Sequence, residues 1–139
     1  MAFVHGKSAV FKIDNSAGTL TDISAYVDNV DFPQTVETPE TTTFGAGSKT
    51  YIVGLKDSTL SVSGKWDGAA SAVDVTLSGI VGQSATVTFE YGPGGSTAGL
   101  VKYTGEAILT GYSVSAPVGD VVTFSADFQV TGNVTRTTF

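Results

Sequence analysis

Asp120-Val-Val-Thr-Phe-Ser-Ala-Asp-Phe-Gln-Val130 sets the rhythm of this chain: Val122, Phe124, Ala126, Phe128 and Val130 share one parity, and Thr123, Ser125, Asp127 and Gln129 the other. Successive side chains of a β-strand point to opposite faces, so this period of two predicts a strand with one apolar and one hydroxyl-rich face. Thr59 to Trp66 repeats it, with Leu60, Val62 and Trp66 against Thr59, Ser61, Ser63 and Lys65. So does Ser84 to Tyr91, with Ala85, Val87, Phe89 and Tyr91 against Ser84, Thr86, Thr88 and Glu90. Strands greasy on one face only belong to antiparallel sheets packed on one side.

Two more strands are expected upstream. Lys7 to Ile13 aligns Ala9, Phe11 and Ile13, followed by an Asn15-Ser-Ala-Gly turn, and Tyr26 to Phe32 aligns Tyr26, Val30 and Phe32. Between Val101 and Val114 the apolar phase slips from Val101, Tyr103, Ala107 and Leu109 to Ile108, Tyr112 and Val114. The slip predicts a β-bulge or bend near Ala107, with Gly105 and Gly111 easing it.

One segment departs from the period of two. Ala69, Val73, Leu77, Ile80 and Val81 fall at helical spacing, with Asp67 placed as an N-cap and Gly82 as a stop. The spacing predicts one helix over about residues 68–81. Valine and threonine are mediocre helix formers, so it must lean on packing against the sheet. The fold class expected is mainly β (α+β): strands, one flanking helix, then strands, in a single domain over residues 1–139.

Two stretches read as loops. Residues 36–54, within Thr35 to Gly54, are too long for a tight hairpin, and connections beyond about 12–15 residues are usually functional or disordered. Phe44 and Tyr51-Ile-Val are apolar inside this otherwise polar run. Either they dock onto another molecule or the loop folds back and buries them; the sequence leaves both open. Gly92-Pro-Gly-Gly-Ser-Thr-Ala-Gly99 reads as a glycine-rich strand connection.

Composition excludes more than it proposes. There is no cysteine and a single histidine, His5, so disulfides, thiolate metal sites and histidine-based catalysis lack their raw material. The net charge is −6, and the seven basic residues are scattered, which is the wrong pattern for gripping phosphates. Charged residues make up 14%, against about 25% in an average soluble protein. Either this is plain β-richness, or the surface is reserved for subunit contacts where fixed charges are costly to desolvate.

The opening Met-Ala-Phe-Val-His-Gly-Lys has no continuous apolar stretch, so no secretory leader is expected, and no apolar run approaches the roughly 20 residues of a membrane span. Asn133-Val-Thr matches a glycosylation sequon that means nothing without secretion. The glycine-rich loop lacks the Gly-Lys-Ser/Thr ending and following helix of a phosphate cradle. Asp28 with Asp31, and Glu37 with Glu40, lack the dense spacing of a calcium loop and read as solvated carboxylates. No catalytic, cofactor-binding or metal-ligating residue is assigned, and no enzyme is expected.

Specific stretches carry a resemblance. Asp22-Ile-Ser-Ala-Tyr-Val, Glu37 through Thr43-Phe44-Gly45, Gly54-Leu55-Lys56-Asp57 and Leu60-Ser-Val-Ser-Gly-Lys-Trp-Asp67, with the closing run Gly111 to Gly132, together resemble the major tail tube proteins of long-tailed (siphovirus-type) bacteriophages. Each motif alone is weak; the ordered set, covering nearly the whole chain, is fairly specific. The resemblance implies a tail-tube-type β-sandwich or open barrel. Such subunits form hexameric rings whose inner strands join edge to edge, and the rings stack into the tube through which DNA is ejected. Open strand edges, poor in lysine and proline, fit that use.

The resemblance also implies the partners: other copies of the chain, the tape measure protein and phage DNA in the lumen without specific DNA binding, and the tail terminator and tail tip proteins. No membrane is involved. The expected location is the virion tail, assembled in the bacterial host cytoplasm. Carboxylates facing the lumen would repel DNA phosphates; neutralising them without any effect on ejection would argue against that role. The family uses a loop at this position between stacked rings, which makes Thr38 to Tyr51 the candidate inter-ring loop, with Glu40, Thr43, Phe44, Lys49 and Tyr51 as its contact residues and Phe44 and Tyr51 as anchors. The alternatives are a non-catalytic β-sandwich binding module for carbohydrate or protein adhesion, and a tube subunit of a phage-like bacteriocin or secretion system.

Overall fold

A computed structural model describes residues 3–139. Its strands are β1 (Val10–Asp14), β2 (Leu20–Asp22), β3 (Val27–Asp31), β4 (Gln34–Val36), β5 (Lys56–Lys65), β6 (Val87–Gly92), β7 (Val101–Ser115) and β8 (Thr123–Thr138), with one helix, α1 (Val73–Gly79), between β5 and β6. The eight strands form one sheet in the order β2-β1-β6-β7-β8-β5-β3, with β4 also pairing β5. Every pairing is antiparallel.

The alternation read from the sequence is what closes the core. On β5 and β8, Leu60 faces Phe128 and Val62 faces Ala126, all buried on the inner side. Phe11 and Ile13 of β1 and Val87 and Phe89 of β6 join the same cluster. The sheet curls around these side chains into a half-barrel, so Phe11 reaches Phe128 at 6.5 Å between ring centroids although their strands are not neighbours. Phe32 turns inward against Phe89, Tyr91 and Tyr103. The curl does not close: β1 and β3 face each other across a cleft lined by Phe11, Val27, Val30 and Tyr91.

The helix is shorter than its spacing predicts. Regular helix holds only over Val73–Gly79, where Val73 and Leu77 are buried; Ile80, which caps it, is buried too. Ala72, in extended backbone, is the N-cap and has no side-chain capping bond. Asp67 instead holds the preceding turn, its Oδ1 accepting from the Ala69 N–H at 2.9 Å. Gly82, at φ +77°, lies past the cap in the following turn, and Ala69 and Val81 are exposed. With β-branched residues at three of its first four positions, the helix persists only where packing supports it. Asp74 pins it to the sheet by accepting from Trp66 Nε1 at 3.0 Å and from the Tyr112 hydroxyl at 2.7 Å.

The slip in β7 resolves into two irregularities on either side of Ala107, which is itself regularly paired and buried. Thr110 is an extra residue of β7 between the pairs Leu109–Phe128 and Gly111–Asp127, and it moves the inward phase from Leu109 to Tyr112. Opposite Gly105 the surplus lies on β8, between Thr131 and Thr135, where Gly132 takes φ +79°. Ile108, on the opposite parity to Ala107 and Leu109, faces outward; Val114 shares the parity of Tyr112 but is exposed near the end of the strand.

Two further expectations change. The sheet's end strands are guarded rather than open: β2 has three residues including Asp22, and β3 carries Asp28, Asp31 and a bulge, with Pro33 just beyond. Gly64 makes the β3 bulge possible, since a Cβ there would lie 1.9 Å from the Tyr26 carbonyl oxygen. The long loop is not structureless either. Its first residues form β4, and its legs pair with each other.

Candidate functional site

The segment between β4 and the start of β5 stands out from the body as an arm. Its legs are joined by backbone bonds from Glu37 N to Leu55 O (3.0 Å), Gly54 N to Glu37 O (2.7 Å), Ile52 N to Pro39 O (3.0 Å) and Thr41 N to Thr50 O (2.8 Å). Threonine hydroxyls extend the ladder: Thr41 and Thr50 share a 2.7 Å bond, and Thr42 Oγ1 accepts from the Thr50 N–H. Gly54 allows the legs to meet, because a Cβ there would lie 2.9 Å from that of Glu37. The tip turns at Thr43-Phe-Gly-Ala46, with Ala46 N donating to Thr43 O and Gly45 at φ +82°.

The arm is a hairpin that buries almost nothing. Phe44 at the tip is fully exposed (107%), and Val53 (80%), Leu55, Ile52, Tyr51 and Val36 are all exposed along the legs. The possibility that the loop folds back over its aromatics is thus excluded. A set of large apolar side chains held on a paired scaffold is the signature of a contact surface.

The structure brings Glu40 and Tyr51 opposite each other as an isolated bridge, with Lys49 Nζ 4.0 Å from Glu40 Oε1. That exposed ion pair contributes little. Thr43 and Phe44 lie apart from these three, at the tip. Ile52 and Val53, apolar beside Tyr51 in the sequence, are exposed with it; Val36 and Leu55 join them, and the signal for Leu55 is its place in the run Tyr51-Ile-Val-Gly-Leu55.

Elsewhere several titratable groups are held within the fold. Glu106 accepts from the Thr86 and Thr88 hydroxyls, Asp127 from Ser61 and Asp57 from Gln129. The hydrogen bond and charge of Asp28 hold Lys65 above its ordinary pKa. Burial, reinforced by Asp31 and Tyr103, raises Tyr91. Tyr112 is pushed up by burial first and then by Asp74. Among the described residues no cluster of three or more potential metal ligands occurs.

A family model described as phage tail tube protein matches residues 3–136. The chain belongs to the phage tail tube protein family. As a tail tube protein it is structural and non-enzymatic, a tube-building subunit, and the binding-module alternative is not favoured.

Solved structures have the same fold at low identity. The tail of an empty GTA particle, refined with C6 symmetry, matches at 15% identity and TM-score 0.78 over 97% of this chain and 99% of that one. The SPP1 tail tube matches at 12% identity and TM-score 0.78, covering 99% and 80%. The sheath-tube complex of an extracellular contractile injection system, PVC, matches at 10% and 0.72, covering 99% and 93%. No curated protein matches the tail tube protein.

Proposed function

We propose that this tail tube protein forms rings of six subunits that stack into a hollow tube, with the arm as the contact from one ring to the next. The observation that carries the reading is the exposed apolar hairpin from Val36 to Leu55, tipped by Phe44. Six-fold rings are supported by the C6 symmetry of the similar GTA tail. Glu40, Thr43, Phe44, Lys49 and Tyr51 contribute to the ring-to-ring contact, joined by Val53 and Leu55. Aromatic and aliphatic anchors supply most of the binding free energy, and the polar residues set register.

Within the tube the chain meets the tape measure protein and then DNA, and at its ends the terminator and tip proteins. Assembly takes place in the bacterial host cytoplasm. The net charge of −6 favours passage of DNA over its retention.

Replacing residues 38–51 by a short turn tests the arm. The expected product is a folded, soluble subunit that forms no tubes under negative-stain microscopy. Tubes of normal length from that variant would overturn the assignment.

A further inference from the structure

We propose that the tip of the β7–β8 hairpin, Ser115 to Val122, receives the arm of a second copy, so that Phe44 of one subunit packs against Val118 and its neighbours Val114 and Val121 of the next subunit along the tube. The inference rests on the arm as the contact from ring to ring and names the surface that accepts it.

The arm and this hairpin tip lie at opposite ends of β5. The arm prolongs the β4–β5 ladder, from the pair Val36–Lys56 outward through Glu37–Leu55 to Thr41–Thr50. At the other end of β5, Lys65 pairs with Thr123 of β8, which pairs in turn with Ser115 of β7. Trp66 N donates to Val122 O at 2.9 Å and ties the base of the hairpin to that end. β5 has ten residues and so spans roughly 30 Å. The two tips of one subunit therefore cannot meet each other. A stack made by repeating one relation is head-to-tail and joins two different patches. What leaves a subunit at one end meets the opposite end of the next.

The hairpin tip has the surface that such a contact needs. Val118 is as fully exposed as Phe44 (108%), and Val114 and Val121 at the same end of the hairpin are exposed too. The turn itself holds Val118 out. Asp120 N donates to Pro117 O across it (3.5 Å), which makes Val118 and Gly119 its corner residues. Outside the arm, no other turn between paired strands among the described residues exposes a large apolar side chain.

Charge fits the same pairing. Lys49 is the one charged residue from Thr41 to Thr50, and Asp120 is the one from Ser115 to Val122. Asp120 makes no ion pair among the described residues, and only its Oδ1 is engaged, by the Val121 N–H. Opposite charges at the two tips set the register of an apolar contact.

The chain has no cysteine, so cross-linking tests the pairing cleanly. Ala46→Cys and Ala116→Cys place one thiol in each tip at exposed positions and leave Phe44 and Val118 intact. In tubes of the double variant a short bismaleimide should join each subunit to the next, giving a denaturing-gel ladder that runs on past a hexamer, whereas either single variant gives dimers at most. Tubes that yield no ladder, or one that stops at a closed ring, overturn the proposal while leaving the tube reading intact; wild type that forms no tubes overturns both. As a second readout, Val118→Asp should keep the wild-type thermal midpoint yet raise the concentration needed for tubes about ten-fold or more. Wild-type assembly by Val118→Asp would contradict the role given to this tip.

Discussion

The arm and the β5–β8 strand pair draw on the same residues, valine, threonine, serine and aromatics, and put them to opposite use. In β5 and β8 the inward-facing Leu60, Val62, Phe124 and Phe128 all lie within 2% of complete burial. In the arm, Phe44, Tyr51, Ile52, Val53 and Leu55 all remain in water. The difference lies in pattern. Strict alternation gives β8 one face to bury, whereas Tyr51-Ile-Val53 runs apolar on both faces and cannot be satisfied by one sheet. Burial within the subunit stabilises the fold; the apolar surface left on the arm is available only to another molecule.

The comparison breaks most visibly on its buried side. Phe128→Ala should cost about 3–5 kcal/mol, by lost burial plus the cavity left behind. In a domain of this size that lowers the thermal midpoint by roughly 10–20 °C, read by circular dichroism. A drop of only a degree or two would mean that the β8 core does not carry the fold.

A smaller effect tests the contact that ties the helix to the sheet. Tyr112→Phe removes the hydroxyl that donates to Asp74 and should cost about 1 kcal/mol. Folding raises the Tyr112 pKa above its ordinary value of about 10. The stabilisation from that group is therefore complete below about pH 10 and is lost as pH climbs toward the raised folded value. The variant should lose less stability than wild type between neutral pH and pH 11, measured by denaturant titration. Parallel losses would remove Tyr112 from the account.

Legibility in the sequence followed the same divide. The β5 and β8 alternations and most of β6 were readable because alternation and burial coincide, although β6 begins only at Val87 and leaves Ala85 exposed in the bend before it, and the resemblance carried the family. The helix was over-extended because apolar spacing continues through Ala69 and Val81, while the backbone turns at Ala72 and Ile80. The arm's pairing was hidden: its ladder is short, interrupted by Pro39, and partly made by threonine hydroxyls. The second half of β8 was missed as well, since Thr131-Gly-Asn133 looks like a stop and turns out to be a bulge. At the site, the positions of Glu40, Thr43, Phe44, Lys49 and Tyr51 followed from resemblance, but the exposure of Phe44 needed the structure.

Phe44→Ala should have the smallest effect on folding, within about 0.5 kcal/mol of wild type, because the side chain touches no core. Its effect on assembly should be large. Negative-stain microscopy of concentrated wild type and Phe44→Ala, side by side and at matched thermal midpoints, tests the division between folding core and assembling arm. The account predicts long hollow tubes from wild type and dispersed subunits or short ring stacks from the variant. Wild type that stays dispersed, or a variant whose tubes match it, would contradict the account.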